Sequence, residues 1–384
     1  MTASDSHQIS RRMFLYGSAA AALVGCREQR QTNLEVVRFG CLPYGDHTQA
    51  VIGAERGLFE RAGIDLRFDT LRVEQAIPLL NSGRYDVVSV SPGLLLTAFN
   101  DAPDLQMFVY GSLFQGYAIM AQPNSTARTY AEVLRTEPDP AAAARVTIAQ
   151  MAGKRFAYPP EGGIQPFVDL LFETGGISRR SVRTIVADDP LNVAAMRRGD
   201  ADFQVGGAPS RITLQKAGFK PIISAVDIAR SAQPSPASEA LRAVFPDGWA
   251  ARGDFIRRRP DLILRLSSVC MQINALMRRD PQATSVVHMR YLSQVTGQPF
   301  TSADAAIIYR DLDPFLTFEE QARWFTDQSY PLYHRHVIGA HINSFIEDGL
   351  YRGRRTPRVE DITVAEGVYR QLSAQGGVTL PGGV

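Results

Sequence analysis

The chain has 384 residues, 45% hydrophobic and 21% charged, with a formal net charge of +2. That length accommodates two lobes with separate cores, and nothing in the near balance of charge suggests a nucleic-acid surface. The longest run of one sign is Arg257, Arg258 and Arg259, and lysine occurs only at Lys154, Lys216 and Lys220.

Taken in order, Ser10, Arg11, Arg12, Met13, Phe14 and Leu15 resemble the twin-arginine export signal. The apolar run to Val24 that follows is too short to cross a bilayer. Leu23, Val24, Gly25 and Cys26 resemble the lipoprotein processing box, with Val24 where a small residue is more usual. Residues 1–25 are therefore expected to be a signal, Cys26 the lipidated first residue of the mature chain, and 26–35 a tether. An acyl anchor of that kind holds a water-soluble body at a membrane surface, here the periplasmic side.

Val36, Val37 and Phe39 supply a strand that Gly40, Pro43 and Gly45 end. Asp46 with Gln49 reads as a capping pair, and Ala50, Val51, Ala54, Leu58 and Phe59 recur at helical spacing up to a stop at Gly63. Residues 64–71 alternate as a second strand, and 74–81 form a short helix that Pro78 kinks or confines to its first turn. Residues 86–90 are a third strand, turned by Ser91, Pro92 and Gly93 into a helix over 94–99. Strands are expected at 105–110 and 117–122, around Gly111, Ser112 and Phe114, the second carrying the chain out of the first lobe.

Residues 126–144 read as a peripheral, Ala-rich helical insertion. A second series follows: a strand at 155–158, a helix opened by Pro166, then alternation through 182–186, 191–198, 202–205, 210–216 and 221–224. This spacing argues an α/β fold with largely parallel sheets. Residues 81–92 and 197–209 echo each other: a helix end, a glycine, an aspartate, a short strand and a proline turn. Residues 225–248 read as a return crossing, after which helices are expected at 261–277, 281–296, 302–309, 318–327 and 356–372. One lobe is thus expected from 36–122 plus 248–384, and the other from 123–247.

Pro43, Asp46, His47, Thr48, then Ala54, Gly57, Leu58, Phe59, Gly63 and Ile64, form a unit that resembles the first βα unit of certain periplasmic solute-binding proteins. These are the nitrate, sulfonate, taurine and thiamine-pyrimidine type, the group that includes the NMT1/THI5-like domain. The resemblance covers residues 36–350 and is strongest before Gly93. It implies a two-lobe, type II-like periplasmic-binding-protein fold with the ligand between lobes and the C-terminal helices packed back on the first. It also implies a non-enzymatic role without cofactor or metal: capture of a small polar molecule for the permease and ATPase subunits of an ABC importer. The competing classes are an enzyme of the pyrimidine-precursor type, whose cysteine-rich motif is missing here, and a ligand-binding sensor. For sulfonates the resemblance implies hydroxyl-rich donors, where this chain has Glu161, Gly162, Gly163 and Ile164; for nitrate or bicarbonate it implies a late lysine, and none follows Lys220.

Strand-end loops are the expected site, because open α/β sheets hold ligands at the carboxyl ends of their strands. Tyr44 and Phe114 would cover a flat or apolar portion of the ligand, while Asp46, His47, Ser91, Glu161, Gln165 and Arg211 fix polarity and Gly162 and Gly163 admit close backbone approach. A carboxylate at Glu161 would disfavour a fully anionic ligand. Phosphate-loop, dinucleotide, nucleophile-elbow and zinc-protease signatures are absent. His334, His336 and His341 are expected at the surface or stacked on rings, and Cys41 and Cys270 as either a pair or two buried thiols.

Overall fold

In the computed structural model, which describes residues 34–159, 164–232, 238–351, 353 and 355–378, strand β1 spans Glu35–Cys41 and pairs in parallel with β2, Ile64–Thr70. The export signal, Cys26 and nearly all of the tether lie outside the described residues. Between β1 and β2, Gly45–His47 make a 3-10 turn and a helix runs Gln49–Glu55. Thr48, rather than Asp46, stands at its N-cap, because Asp46 is taken up by the preceding turn. The helix breaks at Gly57, whose φ of 63° is left-handed, and resumes over Leu58–Arg61. Pro78 lies inside a full helix, Val73–Asn81, instead of ending it. Only the bond back to Glu74 is lost, while buried Ala76, Ile77 and Leu80 hold the turns against the sheet.

The first sheet has the order β2-β1-β3-β10-β4, with β3 at Val87–Val90, β4 at Leu105–Phe114 and β10 at Phe245–Arg252. The second has the order β7-β6-β8-β5-β9, with β5 at Ala118–Ala121, β6 at Arg155–Tyr158, β7 at Arg183–Val186, β8 at Phe203–Gly206 and β9 at Lys220–Ser224. Each sheet is parallel except for one strand, β10 in the first and β5 in the second. These two are the strands that follow the crossings, so each sheet receives its antiparallel member from a chain just arrived from the other.

Two expectations change here. The strand expected to leave the first lobe at 117–122 already belongs to the second sheet, so the crossing is the short segment 115–117. The return segment holds a helix at Ala225–Ser231 and then β10, which starts at Phe245. Pro246, Asp247 and Gly248 look like turn residues, yet they sit in mid-sheet at a register shift. Glycine is required there because a Cβ on Gly248 would lie 2.0 Å from the Val109 carbonyl oxygen.

The internal echo has a shared lock. In the first lobe Asp86 takes bonds from the Arg38 backbone N–H at 3.0 Å, Nε at 2.9 Å and Nη2 at 2.6 Å. In the second, Asp202 takes the same three from Arg155 at 2.8, 3.1 and 2.7 Å. Each fork pins the start of one parallel strand to its neighbour, β3 to β1 in the first sheet and β8 to β6 in the second.

Residues 126–144 are not a peripheral insertion: they fall in helices Tyr130–Leu134 and Pro140–Ala149, whose Val133, Ala143, Ala144 and Ile148 are buried. The C-terminal helices include Pro260–Arg279, Pro281–Thr296, Ser302–Ile307, Phe318–Thr326 and Ala365–Ala374. One further helix, His334–Glu347, buries His334 and His341 instead of leaving them at the surface. His334 packs edge-on to Phe325, and His341 Nε2 lies 2.9 Å from the Val244 carbonyl. Desolvation holds both imidazoles down at about 4. Cys41 and Cys270 are separate buried thiols, and no helix among the described residues is long and apolar enough to cross a membrane.

Candidate functional site

The loop after β1 is fixed from below. Leu42 N–H donates to Ser89 Oγ at 2.9 Å, the Cys41 thiol donates to the His47 carbonyl at 3.1 Å, and Thr48 Oγ1 donates to the Gly45 carbonyl at 2.8 Å. The loop thereby presents Tyr44 and His47 to a chamber of about 60 Å³ between the sheets. Ser91 and Leu94 complete the first-lobe wall, and Phe114 and Tyr117 enter from the first crossing. The second lobe contributes Ile164, Asp189 and the stretch Gly207 to Pro209, and the second crossing brings Phe245 and Asp247. Tyr44, Leu94, Asp189 and Pro209 also line a much larger cleft of about 1030 Å³, so the chamber is its inner end.

Aromatic rings form one side. Phe114 and Tyr117 meet edge to face at 4.8 Å, Tyr117 and Phe245 do so at 5.0 Å, and Tyr117 stacks on Phe167 at 5.4 Å. Two acids also line the chamber. Asp247 is 3% exposed and its Oδ1 lies 3.8 Å from Nε2 of His47, itself 4% exposed. Asp189 receives one long bond from Ser210 Oγ to Oδ2 at 3.5 Å. Its Oδ1 is closed off from solvent, with no hydrogen-bond partner among the described residues. Desolvation, with the nearby charge of Asp188 adding, pushes this carboxyl up to about 7.

Of the sequence candidates, Tyr44, His47, Ser91 and Phe114 are brought together in the chamber. Glu161, Gly162 and Gly163 lie outside the described residues, as does the side chain of Asp46. Gln165 and Arg211 line neither cavity. Gln165 Oε1 accepts from Arg179 at 2.8 Å, so its amide is turned along the lobe surface. Arg211 is turned away to the first crossing, where Nη1 donates to the Gly116 carbonyl at 3.0 Å, and burial lowers its pKa. Sequence reasoning missed Asp189, Asp247, Tyr117 and Phe245. Asp189 sits in an Asp-Asp-Pro start of a helix at the end of a strand, and that position was the signal available.

Neither cysteine lines the chamber, and burial pushes the Cys270 thiol up, away from thiolate. No group of His, Cys, Asp and Glu among the described residues is arranged to hold a metal ion.

The model of the NMT1-like family matches residues 30–246, more than half of the chain. Among curated proteins none matches. Solved structures share the fold at low identity. SsuA of Methylobacillus flagellatus KT, described as a periplasmic sulfonate-binding protein, is 14% identical with a TM-score of 0.62 over 90% of this chain and 96% of its own. The alkanesulfonate-binding SsuA of Xanthomonas axonopodis pv. citri, solved with MOPS, is 16% identical with a TM-score of 0.59, covering 85% of this chain and 97% of its own. The desulfurization enzyme DSZB, solved as a point mutant in complex with biphenyl-2-sulfinic acid, is 13% identical with a TM-score of 0.57, covering 89% of this chain and 99% of its own. The two-lobe periplasmic-binding-protein fold therefore serves both binding proteins and an enzyme.

Proposed function

The chain belongs to the NMT1-like family, and from that premise we propose that it is an extracytoplasmic solute-binding protein that captures a small polar molecule between its lobes for an ABC importer. The observation that carries this reading is the chamber itself, at the inner end of the interlobe cleft and lined from both sheets and both crossings. Residues before about 115 and after about 244 act as one lobe and the intervening chain as the other, rotating about the two crossings as solute enters. Lys216 supports a closed arrangement, since its Nζ reaches Asp304 Oδ2 at 2.6 Å and the Pro299 carbonyl at 3.0 Å across the mouth. Permease and ATPase subunits are the partners this role requires. Arg11, Arg12 and Cys26 support twin-arginine export and a lipid anchor on the periplasmic side.

A thermal-shift screen of small solutes across charge classes tests the reading, because a ligand at 100 times its Kd adds about 2.7 kcal/mol of stability. A stabilising solute whose effect falls in His47→Ala or Ser91→Ala is the expected result. If no solute stabilises the chain, solute capture is the wrong function.

A further inference from the structure

The charge of the chamber narrows the ligand, on the premise that it is a solute site. Among the described residues that line it, the formal charges are those of Asp189 and Asp247, with His47 beside the latter, and no lysine or arginine is present. The arginines of the outer cleft, Arg72 and Arg197, are accompanied there by Glu74, Asp101 and Asp188, and Arg72 Nε is 3.2 Å from Glu74 Oε1. A sulfonate or other anion entering the chamber would therefore meet carboxylates without a compensating lysine or arginine.

The usual backbone alternative is also weakened. An anion can be held by the free N–H groups of a helix start, and helices Asp189–Arg198 and Ala208–Lys216 both begin at the chamber wall. Each carries proline in its first turn, Pro190 and Pro209, and so lacks one of those donors.

What the wall does offer suits a cation. Asp189 Oδ1 is buried without a hydrogen-bond partner among the described residues, and an N–H⁺ group would satisfy it. The rings of Tyr44, Phe114, Tyr117 and Phe245 supply π faces and edges around the same space, the arrangement by which ammonium groups are recognised. A volume of about 60 Å³ admits a head of only a few heavy atoms. The adjoining cleft of about 1030 Å³ is lined by Val73, Ile77, Leu94, Ala98, Val193 and Val295, which accept an apolar body. We propose that the ligand is an organic cation, a primary or N-methylated ammonium on an apolar body, with its head between Asp189 and the aromatic rings and its body in the outer cleft.

Three probes of one shape decide it by calorimetry on the full chain: 2-phenylethylammonium, 2-phenylethanol and 2-phenylethanesulfonate. The ammonium is expected to bind at least tenfold more tightly than the alcohol, with the sulfonate weakest. In Asp189→Asn the ammonium is expected to lose about tenfold or more relative to the alcohol. Equal or tighter binding of the sulfonate, no binding of the ammonium, or an ammonium-to-alcohol ratio unaltered by Asp189→Asn overturns the inference. Each of those results leaves solute capture standing if any other solute in the broader screen stabilises the chain. If none does, both readings fall.

Discussion

Asp189→Asn should make the empty protein more stable, and by an amount that depends on pH. The carboxyl is held up at about 7 in the fold against an ordinary 3.8. For an acid with a raised folded pKa, no penalty exists below the unfolded pKa. The penalty grows as pH rises from about 4 to 7, because the unfolded chain ionises first, and is complete above the folded pKa. At about 1.4 kcal/mol per unit, a shift of that size costs roughly 2 kcal/mol at pH 5 and about 4 kcal/mol at pH 8. The amide keeps nearly the same shape and adds a pH-independent term of its own, so the quantity to read is the change between those pH values, on the order of 2 kcal/mol. His47, Asp188, Arg197 and Asp247 remain in both proteins, and their own titration largely cancels in the difference. Urea denaturation of parent and variant without ligand, at pH 5, 6, 7 and 8, measures it. Parallel stability profiles would refute the reasoning, and with it the burial of Asp189 Oδ1.

Acid should destabilise the parent well before its paired carboxylates titrate. His288 is pushed down to about 3 and His334 and His341 to about 4, chiefly by desolvation, so each contributes stability that is present above about 6.5 and is lost as pH falls toward the folded value. Between pH 6 and 5 unfolding takes up between two and three protons at these sites and releases about one from Asp189, a net slope of roughly 2 kcal/mol per pH unit; a flat chemical-denaturation midpoint over that range counts against buried neutral imidazoles. Lys216→Ala should change the stability of the empty protein by less than about 1 kcal/mol, since the lysine is partly exposed. The same change should weaken solute binding several-fold by removing a contact of the closed form, measured by calorimetry, and unchanged affinity would show that the contact does not bias closure.

The first βα unit was legible because its signals agree: β-branched residues at Val36 and Val37, breakers at Pro43 and Gly45, and helical spacing after Gln49. That fixed the loop bearing Tyr44 and His47. The acids of the chamber were not legible for a physical reason. Asp189 before Pro190 is what an ordinary helix start looks like, and Asp247 between Pro246 and Gly248 is what an ordinary turn looks like. Only the sheet pairing reveals that the second segment is the middle of a strand. Arg211 shows the converse: a charged residue in a strand-end segment suggested a ligand contact, and its guanidinium is found bonded to the Gly116 carbonyl. The true crossing was displaced because Ala118–Ala121 has the composition of either sheet, and nothing local says which one it joins.

The placement of β10 dictates an order of assembly. The strands of the second sheet are contiguous in sequence, from Ala118 to Ser224, so that sheet has all of its members before the chain returns. The first sheet begins earlier yet ends later, because β3 and β4 flank a gap that only Phe245–Arg252 fills. During synthesis the older sheet thus carries two unsatisfied edges, each a row of unpaired backbone groups, while the younger one closes. A chain stopped before Phe245 would retain one complete sheet and one split into separate fragments, and such a fragment would be the aggregation-prone species of this protein.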